Sequence, residues 1–207
     1  MKKLLFISIV VFFIFTSSTA QKIKYGSKIG VNIANITGDE TDDLNTKTLL
    51  HAGAVAEIMI SDEFSFQAEL LYSAQGAKSD YSETLDEVTF RYTSVKLEYI
   101  NVPLLAKFYV TEGFSLEAGP QVGFLITADR EFEKTDNGET ETGEKDILDE
   151  IKGIDFGIDF GLAYKLESGI FLAAHYNLGL SNINDVEGSD DLKNQNRVIQ
   201  LSAGYFF

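Results

Sequence analysis

The chain has 207 residues, enough for one ordinary domain or one small barrel with its loops. It has no cysteine, which excludes disulfides, thiolate metal sites, Cys nucleophiles and a lipidated N-terminal Cys. Its 17 Lys plus Arg stand against 32 Asp plus Glu, and the net charge of −15 argues against a nucleic-acid partner, whose phosphates call for a basic patch. The 44% hydrophobic content resembles that of a soluble protein, but a barrel that turns only alternate residues toward lipid has a similar average.

Residues 1 to 20 open with Lys2 and Lys3, continue with an apolar run from Leu4 to Phe15, and end in Thr-Ser-Ser-Thr-Ala ahead of Gln21. This pattern predicts a secretory signal peptide cleaved after Ala20, which takes the net charge from −15 to −17. The apolar run is too short for the roughly 20 residues of a spanning helix. Residues 21 to 207 then form a single domain.

Eight segments with strand-like alternation follow, at about 25 to 36, 48 to 60, 64 to 76, 95 to 110, 113 to 127, 153 to 166, 169 to 182 and 197 to 207. Each exceeds the roughly 9–11 residues a tilted strand needs to cross a bilayer. Three connections are short and alike: Ile60-SDE-Phe64, Val110-TEG-Phe114 and Leu166-ESG-Ile170. The other four, near 37 to 47, 77 to 94, 128 to 152 and 183 to 196, are long and hold 22 of the 32 acids. Short turns at one end and long loops at the other match an outer-membrane barrel, with the turns in the periplasm. Segment 128 to 152, centred on TDNGETETGEKD, reads as a mobile loop. The fourth and fifth strands are expected to run on beyond the membrane, because Val88, Phe90 and Tyr92 alternate before the one and Glu131 and Glu133 flank Phe132 after the other.

The clearest strand is GIDFGIDFGLAY, residues 153 to 164. Ile154, Phe156, Ile158, Phe160, Leu162 and Tyr164 share one parity, and only small or acidic residues occupy the other. Period two alone does not say which face points outward. A soluble ligand-carrying barrel would turn the aromatics inward. The terminal Phe, the strand lengths and the turn asymmetry favour lipid outside, in an all-β, eight-stranded antiparallel up-and-down barrel.

The YGSKIGVNIA opening strand, the YINVPLLAKFYV and FSLEAGPQVGFLI strands and the terminal YFF resemble the Bacteroidota outer-membrane β-barrel family, often called porin-like or PorT-like. The resemblance covers essentially the whole mature chain and implies a Gram-negative outer membrane, with lipid and lipopolysaccharide around the barrel. It also implies that Tyr205 and Phe207 belong to a C-terminal signal read by the barrel-assembly machinery.

Followed inward, the parity places Lys28, Glu57, Glu69, Lys107, Glu117, Asp155, Asp159 and His175 in the lumen. An eight-stranded barrel is only wide enough for side chains to fill it. These charges therefore form a structural network, with the lysines among the carboxylates, or line a narrow proton or cation path. Catalysis is not indicated. His175 and Ser181 share a parity but lie about 20 Å apart along a strand, and His51 is expected as a solvated rim residue. Loop acids such as Asp39, Glu40, Asp42 and Asp43, or Asp190 and Asp191, offer oxygen ligands without EF-hand spacing, so no dedicated metal site and no cofactor are expected. The sequence thus predicts a non-enzymatic envelope or surface-interaction barrel whose acidic loops meet a surface partner. The alternatives are a narrow or gated pore and a PorT-like accessory of protein secretion.

Overall fold

The computed structural model describes residues 23 to 85, 88 to 136, 139 to 188 and 191 to 207. The expected signal peptide, residues 1 to 20, lies outside the described residues, as does Asp190. The strands in chain order are β1 (Ile23–Gly38), β2 (Leu44–Met59), β3 (Phe64–Ser79), β4 (Ser82–Leu85), β5 (Val88–Tyr109), β6 (Phe114–Asp136), β7 (Glu139–Asp146), β8 (Ile154–Lys165), β9 (Ile170–Gly179) and β10 (Asn194–Phe206). Eight of them close a ring in the order β5-β3-β2-β1-β10-β9-β8-β6, with β6 returning to β5. Every pairing is antiparallel, and the first and last strands join from Gly26 opposite Phe206 to Gly38 opposite Asn194. Closure leaves the ring no open edge, as a bilayer requires.

The alternation settles which face is outside. Phe156 and Phe160 are about half exposed on the outer wall, while Asp155 and Asp159 are 6% and 2% exposed within it. Ile29, Leu50, Phe66, Leu70, Leu104, Phe108, Phe124, Leu172, Ile199 and Leu201 join them outside. An apolar surface of that extent belongs in lipid, not in water. Tyr205 and Phe207 also point outward, at the same end as the three short turns.

Those turns are closed alike. Ile60 N–H donates to the Phe64 carbonyl at 2.9 Å, Val110 to Phe114 at 2.9 Å and Leu166 to Ile170 at 2.8 Å. The repeat seen in the sequence is therefore a repeated hydrogen-bond geometry.

The other end differs from expectation in one respect. Within the acidic segment 128 to 152, expected as a loop, residues 129 to 136 and 139 to 146 are paired strands. β6 continues to Asp136 and pairs with β7 over eight registers, from Asp129 opposite Asp146 to Asp136 opposite Glu139. Two features hold this hairpin in place of an apolar core. The Phe132 ring lies over Gly143, where a Cβ would come within 2.6 Å of it, and the Thr135 and Thr140 hydroxyls bond at 3.0 Å. With both faces solvated, its sequence carries no apolar alternation to betray it. β4 adds to β5 from Ser82 to Leu85, so β4, β5, β6 and β7 form a four-stranded ribbon standing above the barrel. β5 and β6 run on through residues 88 to 92 and 131 to 133, where the sequence predicts continued strand.

Candidate functional site

The lumen is built from side chains that alternate with the lipid-facing ones. Near the turn end, Glu57 is fully buried and accepts from the Ser65 hydroxyl at 2.7 Å and from the Tyr109 hydroxyl. Lys107 and Lys165 approach the same carboxylate at 3.6 and 3.5 Å. Lys107 then bridges to Glu117 at 2.9 Å and donates to Gln67 at 2.9 Å. Glu117 meets His175 Nε2 at 2.8 Å, and Gln67 passes the chain to Glu69, which pairs with Lys28 at 2.5 Å. Six of the eight residues singled out in the sequence thus form one connected network.

Asp155 and Asp159 stand apart from it and meet no lysine. Asp155 accepts from Ser181 at 2.6 Å and from Asn196 at 2.8 Å, and Asp159 accepts from Asn177 at 2.8 Å. Neutral donors can hold a buried carboxylate, though less strongly than a paired cation. Lys165 and Tyr109 were absent from the predicted set. Parity could have found both: Lys165 continues Asp155 and Asp159 along β8, and Tyr109 follows Lys107 along β5.

His51 corrects the sequence reading most clearly. It is no rim residue; it is fully buried, because β2 starts at Leu44 and places residue 51 well inside the barrel. Its Nε2 lies 2.8 Å from Ser202 Oγ and its Nδ1 lies 2.8 Å from Asn32 Oδ1, while Asn32 donates to Ser73 Oγ at 2.9 Å and to the Ala74 carbonyl at 2.7 Å. Serine, histidine and amide in that order have the connectivity of a hydrolytic triad. The surroundings do not admit a substrate. Asn32 and His51 are fully buried, Ser202 is 7% exposed, and Gly30, the register partner of both His51 and Ser202, lies under the imidazole, where a single Cβ would come within 2.6 Å of the ring. A scissile carbonyl would have to sit about 3 Å from the serine oxygen with donors around it, and all three residues are buried away from the surface.

The outer mouth of this polar interior is apolar, and at the turn end an apolar cluster packs beside the charged groups. At the outer mouth Ile36, Leu97, Tyr99, Ile147 and Ile183 are buried together, with Leu44, Val95, Leu125 and Ile151 packed on them. Ile147 and Ile183 come from the connections between strands, not from the wall. The two connections are tied to each other by Lys152 N–H to the Ile183 carbonyl at 2.8 Å and Asp185 N–H to the Glu150 carbonyl at 2.9 Å. At the turn end Val55, Ala163, Phe171, Ala173 and Phe206 make a second cluster. Between the two, Asn101, Gln121 Oε1 and Gln200 Nε2 have no protein partner. Buried groups of this kind are ordinarily met by internal water.

Above the plug, Ser94 donates to Glu131 Oε2 at 2.5 Å, and Lys47 donates to Ser94 at 2.7 Å. The Ser94 hydroxyl, and then Lys47, hold the Glu131 carboxyl below the usual carboxylate range against the opposing effect of partial burial. Arg130 reaches Glu150 at 3.2 Å and lies over the Tyr92 ring, which stacks on Tyr81. The acids Asp39, Glu40, Asp42 and Asp43 lie in the connection between β1 and β2, and among the described residues no His, Asp or Glu group is arranged to hold a metal.

A lipid-facing wall, a closed eight-strand ring and a filled lumen define a small membrane barrel. The chain belongs to the outer membrane protein beta-barrel domain family, which matches residues 18 to 185, and it is an outer-membrane protein. It is similar in fold to Neisserial surface protein A, with 12% identity over 90% of this chain and 100% of that one and a TM-score of 0.54. It is also similar to Ail of Yersinia pestis, solved in complex with the heparin analogue sucrose octasulfate, with 14% identity over 90% of this chain and 99% of that one and a TM-score of 0.50. No curated protein matches the chain.

Proposed function

We propose that this is a non-enzymatic outer-membrane barrel that acts at the cell surface through its acidic extracellular ribbon, while the barrel anchors that ribbon in the envelope. The observation that carries the reading is the outer plug: Ile36, Leu97, Tyr99, Ile147 and Ile183 close the lumen over its charged network. A narrow pore needs a continuous wet path, and an apolar constriction opposes the passage of ions. With the lumen closed, the parts free to meet a partner are the lipid-facing wall and the ribbon. The PorT-like role in secretion would call for periplasmic contacts, and the three turns at that end are short. The Bacteroidota porin-like resemblance rests on the strand motifs and terminal YFF already described, and the proposed partners are lipopolysaccharide around the wall, the assembly machinery at Tyr205 and Phe207, and a surface ligand of the ribbon.

The test separates surface from lumen. Cells producing a chain that lacks residues 132 to 143 should retain a heat-modifiable barrel and unchanged permeability to small solutes, but should lose adhesion to protein-coated surfaces. Unchanged adhesion together with altered permeability would count for the pore instead.

A further inference from the structure

The outermost strand of the ribbon has one partner and one open side. β7 pairs with β6 alone, and all of its residues but Gly143 are exposed. The register tells which backbone groups are free. Ile147 N–H bonds to the Ala128 carbonyl at 2.8 Å, so the bonded pairs recur at every second position: Arg130 with Lys145, Phe132 with Gly143, Lys134 with Glu141. The residues between them, Thr140, Thr142 and Glu144, therefore turn their N–H and C=O groups outward. An unpaired row of this kind is a template for another strand.

The side chains select what can pair there. Asp129 stands opposite Asp146 and Glu131 opposite Glu144, both at non-bonded positions where side chains approach most closely. Like charges directly opposed destabilise a ladder. Glu131 is relieved by Ser94 and Lys47, but no described lysine or arginine pairs with Glu144 or Asp146. Beside them, Thr93, Glu131, Glu133, Thr142 and Glu144 line a hollow of about 410 Å³. A second copy of β7 would bring acid against acid, so pairing of the chain with itself is disfavoured. A lysine or arginine on an incoming strand would instead relieve the repulsion.

We infer that the free edge of Glu139–Asp146 docks an extended, lysine- or arginine-rich segment of another protein by strand addition, with Glu144 and Asp146 receiving its cations. This rests on the surface reading above and names the chemistry of its partner. Backbone pairing supplies the affinity and the acids supply the choice.

The test uses the mature barrel in phosphatidylcholine nanodiscs and a labelled short peptide that alternates lysine with threonine, followed by fluorescence anisotropy. The peptide should bind, and its counterpart alternating glutamate with threonine should not. Methylating the peptide's backbone nitrogens at every second residue should weaken binding about tenfold in one parity and leave it unchanged in the other, because only one parity faces β7. Thr142→Pro should weaken the unmethylated peptide by a similar factor, since it removes an outward N–H from an edge strand that otherwise tolerates proline. Equal binding of both methylated peptides would reduce the contact to charge attraction and overturn the inference. So would failure of the lysine peptide to bind a barrel shown to be folded. Neither result touches the closed lumen, which ion conductance tests separately.

Discussion

At the residue scale, Glu57 is the side chain on which the lower lumen depends. Two lysines, a tyrosine and a serine converge on it at zero exposure. Glu57→Ala would leave the buried Lys107 and the half-buried Lys165 with less negative charge beside them, and removal of one partner from a buried pair typically costs about 3–5 kcal/mol. Glu57→Gln keeps an acceptor for Ser65 and Tyr109 and should cost less. Urea unfolding in detergent micelles measures both, and equal midpoints for Glu57→Ala and the parent would remove the network as a source of stability. Glu131 gives a prediction outside the membrane. Its folded pKa is depressed, so its contribution is complete above the ordinary carboxylate range and is lost as pH falls through the folded value. Ser94→Ala should raise that pKa, as followed by the carboxyl carbon shift of Glu131 during an NMR titration. Much of this scale was legible, because parity alone brought Lys28, Glu69, Lys107, Glu117 and His175 to one lumen. The place of His51 is not legible, because polar Asn45 and Lys47 conceal the first residues of β2 and the alternation reads as starting nearer to His51 than it does.

At the element scale, the alternation specified the eight wall strands and their turns, since each strand has one face in lipid and one in the lumen. It failed at the ribbon, where both faces meet water and the period vanishes from hydropathy. It failed also at the plug. Ile147 and Ile183 lie in connections dominated by polar residues, and no alternation marks them as buried until the loops are folded over the mouth. The packing of Phe132 on Gly143 makes the ribbon's rigidity testable. Phe132→Ala should increase amide hydrogen exchange across Glu139–Asp146 and leave the wall strands protected. Unaltered exchange in β7 would show that the ring contributes nothing to the hairpin.

For the whole molecule, the account joins a lipid-facing wall to a closed interior. The wall predicts that Phe160→Arg, near the middle of β8 and 48% exposed, costs about 2–4 kcal/mol, as a lipid-facing cation near the midplane does. Loss of the heat-modifiable form, or a lowered unfolding midpoint in lipid vesicles, is the expected outcome, and normal refolding would contradict the outward parity. The interior predicts that polar groups in the middle of the lumen do not amount to a conducting path, because an apolar cluster closes the outer mouth. The most direct measurement is single-channel conductance of residues 21 to 207 refolded into planar bilayers, with barrel formation checked by gel shift on boiling. The account predicts a folded barrel that is electrically silent across the voltage range a bilayer withstands. Reproducible discrete openings would contradict the closed lumen and restore the pore as the function to pursue.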